Sequence, residues 1–170
     1  MISIIQEYYN GEKNTVITVL LIAIALVLVS LVLWKLSNAG TIPRGMAYSF
    51  LGFGLFLGAT SGGYLGVVHQ RISAAEEESL QPERELKNAE ITRVEHVLRS
   101  GYVGALAIFT TLIVVGLILV FLSHEHALRK GIALGLLAAG VIGHYTEAFS
   151  MQKNRDYLGR VQAYEVEQPE

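Results

Sequence analysis

Thr15 to Trp34 reads TVITVLLIAIALVLVSLVLW, twenty residues without a charge, held between Lys13 and Lys35. At about 1.5 Å of rise per helical residue, the run matches a hydrocarbon core of about 30 Å. Lipid offers no partner to backbone N–H and C=O groups, so a segment of this length has to satisfy them internally, as a helix. A strand reading of its Val and Ile residues is therefore dropped.

Three further windows repeat the signal. Gly45 to Gln70 and Ser100 to His124 are each free of formal charge and long enough to cross with some tilt. After Lys130 only Gly131 to Thr146 are uncharged, and sixteen residues reach about 24 Å, so a fourth crossing carries Glu147 near or within the membrane boundary. The expected fold is all-α, an integral membrane four-helix bundle forming one domain over residues 1–170. Its spans fall at about 15–35, 44–70, 98–123 and 130–150, and a polar tail follows from 152 to 170.

Composition agrees. Of 170 residues, 52% are hydrophobic and 16% charged, and mean hydropathy is +0.43, far above a soluble domain of this size. A soluble enzyme is thereby excluded. The absence of cysteine removes disulfides, thiolate metal sites and cysteine nucleophiles. A net charge of −2 gives no reason to expect nucleic acid.

The connections differ in length. Short loops join spans one and two and spans three and four, which makes those pairs antiparallel neighbours. The stretch 71–98 is polar and rich in helix formers, interrupted at Gln81-Pro82, and Pro82 before Glu83 and Glu85 fits a helix start. Span two is expected to continue to about Ser79 and span three to begin near Pro82, giving a helical hairpin that projects into water. The fourteen residues before the first span include Glu7, Glu12 and Lys13, and do not read as a cleaved signal. Both termini then share one face with the hairpin. That face carries Lys13, Arg71, Arg84, Lys87, Arg93, Arg99, Lys153, Arg155 and Arg160, against Lys35, Arg44, Arg129 and Lys130 opposite. Counting Lys and Arg places the terminal face in the cytoplasm and the protein in the plasma (inner) membrane. Nearly all the acids share that face, however, and the short loops are the denser in basic residues.

Within lipid, helices associate by close packing at small residues. Gly54, Gly58, Gly62 and Gly66 recur every fourth position and sweep a stripe of about 120°. Span four has a comparable row in Gly131, Gly135, Ala139 and Gly143, so spans two and four are the economical pairing. The glycines read as packing residues, or as room for something flat or bulky such as a haem or a lipid. Span one is bulky nearly all round, with Ala23, Ala25 and Ser30 its small residues, and is expected to be the most lipid-exposed.

Three histidines fall toward the terminal face: His69 ends the apolar part of span two, His96 precedes span three and His144 lies inside span four. Glu147 follows His144 by three residues on the same helix face, and ionisable groups inside a span are costly. His69 falls within the glycine stripe. His144 instead shares a second row with Ala133, Leu137, Gly140 and Ala148. His69 and His144 could ligate a haem b, and His96, His144 and Glu147 with His69 a divalent metal. His144 and Glu147 alone could relay protons or ions. A satisfied interfacial polar cluster is the plainer reading, with Arg93 and Arg99 pairing Glu95 and Glu147. The Glu76-Glu77-Glu78 run reads as a solvated helix end. No phosphate loop, nucleophile elbow or His-Glu-x-x-His occurs. The leading expectation is a non-enzymatic subunit or partner of a larger membrane assembly, or a homo-oligomer, acting in the lipid bilayer through Gly-rich helix packing.

Overall fold

A computed structural model describes residues 1–77 and 82–165, the side chains of 75–77 apart. The Glu76, Glu77 and Glu78 side chains, the expected helix end near Ser79 and tail residues 166–170 lie outside the described residues. The described residues form five α-helices: α1 Ile2–Leu36, α2 Ile42–Glu77, α3 Glu83–His96, α4 Tyr102–Leu122 and α5 Ala127–Ala163. A π-helical turn, Val97–Gly101, joins α3 to α4 without a break. No strand occurs among the described residues. Four helices, counting α3 and α4 as one, are long and apolar enough to cross a membrane.

The ends follow local chemistry. The Ser37 N–H closes α1 on the Leu33 carbonyl at 3.1 Å, and the turn into α2 uses Gly40 at φ 84°, a left-handed conformation that glycine adopts without steric cost. Arg44 Nη2 donates to the Ser37 carbonyl at 2.6 Å, and its guanidinium rests 4.8 Å from the Trp34 ring centre. Glu83 and Glu85 occupy the first turn of α3, where negative charge complements the helix dipole.

Packing runs in the series α1 on α2, α2 on α5 and α5 on α4. The glycines decide these approaches, and the partners differ from the sequence expectation. Spans two and four do pack, but not stripe on stripe. A Cβ on Gly54 would stand 2.9 Å from Val27 Cγ2 and 3.1 Å from the Ala23 carbonyl oxygen, so the upper stripe faces α1. Gly62 and Gly66 meet nothing within 4 Å. The α2–α5 contact is instead made by Gly45 and Gly131, where a Cβ on either would collide with the other helix's backbone. Gly135 follows, its Cβ position 2.6 Å from Ser49 Cβ, and Ser49 Oγ donates to the Ile132 carbonyl at 3.0 Å. Gly143 lies under the Phe109 ring of α4, and Gly116 of α4 lies against Ala133 and Leu137. The second row of span four, with His144, thus turns to α4.

The small residues of α1 make its contact with α2: Ala23 is buried among Leu26, Phe53 and Leu57, and Ser30 is fully buried. The barest apolar window belongs to the α3–α4 helix, where 11% is buried against 22% in α1, so span three and not span one is the most exposed. Leu21 and Leu28 on α1, and Val103, Phe121 and Leu122 on α4, are more than half exposed, a surface suited to lipid.

A second core lies outside the apolar windows. Met1, Ile5 and Tyr9 of α1, Leu86 and Val94 of α3, and Tyr157 and Val161 of α5 are buried together, Met1 standing just before the first turn of α1. Residues 152–163, read from sequence as polar tail, are therefore an amphipathic helix whose buried positions Asn154, Tyr157 and Val161 recur at helical spacing.

Candidate functional site

Because α1 and α4 stand at the two ends of the packing series, a gap remains between them in the half of the bundle nearer the termini, beside the contacts that α1 makes with α5. A cavity of about 440 Å³, open on the side where Phe56, Tyr64 and Ile108 are exposed, occupies that space. Its apolar wall is built by Val16 and Val19 of α1, Phe56 and Leu57 of α2, and Ile108 and Phe109 of α4. Toward the terminal face the lining turns polar, with Glu12, Thr15, Tyr64, Tyr102, Glu147 and Ser150. Val97 and Gly101 of the π turn also line it, and such turns often stand at functional sites.

The two carboxylates are held differently. Tyr64 donates its hydroxyl to Glu12 Oε1 at 2.5 Å, while Glu12 Oε2 is buried and without a hydrogen-bond partner. Glu147 makes no hydrogen bond or ion pair among the described residues. No lysine, arginine or histidine lines the cavity. Lys153 lines an adjoining groove, where Nζ donates to Thr15 Oγ1 at 2.6 Å and rests 4.8 Å from the Phe149 ring centre. It bridges neither carboxylate.

Asn154 fixes the polar end. Tyr8 donates to its Oδ1 at 2.7 Å, its Nδ2 donates to Tyr102 Oη at 2.7 Å and to the Ser150 carbonyl at 3.2 Å, and the Tyr102 and Ser150 hydroxyls meet at 2.9 Å. Tyr8 also stacks on Tyr157, ring centres 3.8 Å apart. Behind this chain Glu90, 6% exposed, accepts from Tyr9 at 3.1 Å, Tyr157 at 3.3 Å and Arg93 Nε at 2.5 Å. Burial above all pushes the Tyr9 and Tyr157 phenols up, so both remain donors at neutral pH. Arg93 thus pairs with Glu90, where the sequence suggested Glu95 or Glu147.

The histidines are not gathered. His69 is exposed on α2 and its ring makes no hydrogen bond. His96 is exposed, with Nε2 3.3 Å from Ser100 Oγ. His144 is half-buried, with Nε2 3.1 Å from Thr110 Oγ1 of α4. From Thr110 back to His96 is fourteen residues, roughly 20 Å of helix rise, so His96 and His144 stand at different depths and do not share an ion. No group of three or more histidine and acidic side chains among the described residues could hold a metal. With one imidazole exposed and the other turned to α4, the residues present do not fit a haem held between His69 and His144. No hydrogen bond joins His144 to Glu147 either.

Sequence reasoning missed Glu12, Tyr64, Glu90 and Asn154. Glu12 and Asn154 fall outside the charge-free windows and read as flanks. The available signal was Tyr9, Asn154 and Tyr157 sharing helical faces with apolar neighbours. Comparison of the chain with protein-family models, with curated proteins and with solved structures finds no match.

Proposed function

We propose that this chain is a four-span membrane protein that binds a small amphipathic molecule between its helices. The observation that supports the reading is the cavity of about 440 Å³, apolar along its wall and hydrogen-bonding at one end. That is the size and character of a ligand site, in which apolar burial gives affinity and a few fixed polar groups give orientation. The one hydroxyl–carboxylate pair of the lining, Tyr64 on Glu12, stands without histidine, lysine or arginine beside it in the lining, so the activity proposed is binding without covalent chemistry.

The test uses the fluorescence of 1-N-phenylnaphthylamine, a neutral amphipathic probe, added to the protein in nanodiscs. Wild type is expected to show saturable binding, and Ala105→Trp, which fills the cavity from α4, to lose it while keeping its helical circular dichroism. Equal binding by both proteins overturns the reading.

A second reading, an accessory subunit docked through helix packing, is favoured by the exposed half of the glycine stripe, since among the described residues nothing lies within 4 Å of a Cβ placed on Gly62 or Gly66. Gly62→Leu is then expected to leave the isolated protein stable and to reduce the mass of its native-membrane complex. An unchanged complex removes this second reading.

A further inference from the structure

The proposal that follows rests on the cavity being a ligand site and concerns the charge of what enters it. Four aromatic rings, Phe56, Tyr64, Tyr102 and Phe109, share its lining with the carboxylates of Glu12 and Glu147. An aromatic wall is the surface on which a weakly hydrated cation is held by ring quadrupoles. A carboxylate in a partly desolvated cleft is costly without a compensating charge. Here one carboxylate oxygen, Glu12 Oε2, is buried with no partner, and no cationic side chain lines the space. Lys153 stands in the neighbouring groove, which Glu12 also borders, and is held there on Thr15 and Phe149 without an ion pair to either carboxylate.

From this juxtaposition we infer that the occupant is a cationic amphiphile, an organic ammonium whose apolar body lies along Val16, Leu57 and Ile108. Its charged head would stand between Glu12 and Glu147. Tyr64, donating to Glu12 Oε1 at 2.5 Å, positions that carboxylate at the polar end of the space, and its charge acts on the head from there. The anionic alternative is disfavoured by the same two charges, since like charges in a cleft repel its entry.

The experiment compares two probes of one shape, (1-naphthylmethyl)trimethylammonium and its neutral carbon isostere 1-neopentylnaphthalene. Each competes with 1-N-phenylnaphthylamine for the wild-type protein in nanodiscs of uncharged lipid, where bilayer charge does not concentrate the cation. The ammonium is expected to compete at a concentration at least about tenfold lower than the isostere, because a unit charge a few ångströms from a carboxylate in a protein cleft gains more than one decade in affinity. The double variant Glu12→Gln, Glu147→Gln, checked for helical content, is expected to erase that preference and retain the isostere. Equal competition by both probes in wild type overturns the inference while leaving the cavity reading intact. Failure of the fluorescent probe itself to bind overturns both.

Discussion

Glu90 sits where a lone carboxylate would be most costly, yet it takes hydrogen bonds from two phenols and a guanidinium. Removing it leaves Arg93 half-buried against the Tyr8 and Tyr9 rings, 5.8 Å and 5.3 Å from their centres, and without its counter-charge. Glu90→Ala is expected to cost about 3–5 kcal/mol and Glu90→Gln less, measured as thermal midpoints in detergent. An alanine variant as stable as wild type would show that the cluster is not a stabilising element. Asn154→Ala strands the Tyr8 hydroxyl, leaves Tyr102 with Ser150 alone, and is expected to cost about 1–3 kcal/mol. Neither residue was legible as a site, because each is polar, lies in a polar stretch and gains its meaning from a partner more than fifty positions away. His69, His96 and His144 show the converse. Topology places them toward one face, but a shared face is not a shared depth.

At the scale of the element, the apolar windows were fully legible, since lipid as solvent writes itself into composition over twenty residues at a time. Helical phase was legible too: it put Gly54 and Gly58 on one face of α2, and it put His144 away from the row of Gly131, Gly135 and Ala139 on α5. The neighbour each side meets was not, because phase fixes a direction within one helix and says nothing of which backbone stands there. Gly45 carries the close α2–α5 crossing although it begins a window and belongs to no stripe. Gly45→Ala or Gly131→Ala is expected to destabilise by about 1–3 kcal/mol, because backbone must shift to admit the methyl. Gly62→Ala is expected to be neutral in the isolated protein. Comparing the three melting curves checks the assignment, and a Gly62 variant as damaged as Gly131→Ala would contradict it.

For the molecule as a whole, the two cores divide the work. The apolar core of Ala23, Leu26, Phe53, Leu57, Phe109 and Ala139 lies within the windows, and the terminal core of Met1, Tyr9, Val94 and Tyr157 binds three helices outside them. The cavity lies between the two, and it escaped the sequence because empty space follows from where helices fail to meet. The absence of cysteine makes the crossing pattern directly measurable with single introduced thiols. With the terminal face in the cytoplasm, an impermeant maleimide added to intact cells is expected to label Gly40→Cys and Glu125→Cys but not Asn88→Cys. Labelling of all three, or of Asn88→Cys alone, would refute that orientation.

The π turn at Val97–Gly101 has one more result. Such a turn accommodates an inserted residue, and each residue carries about 100° of rotation along a helix. The turn takes up that residue without its rotation, so deleting Ser100 is expected to restore plain α winding and keep Tyr102 and Phe109 in phase with Glu90 and Arg93. The same residues wound as plain α-helix would instead turn the cavity wall about 100° away from the terminal core, so the π turn acts as the keyway that times one against the other.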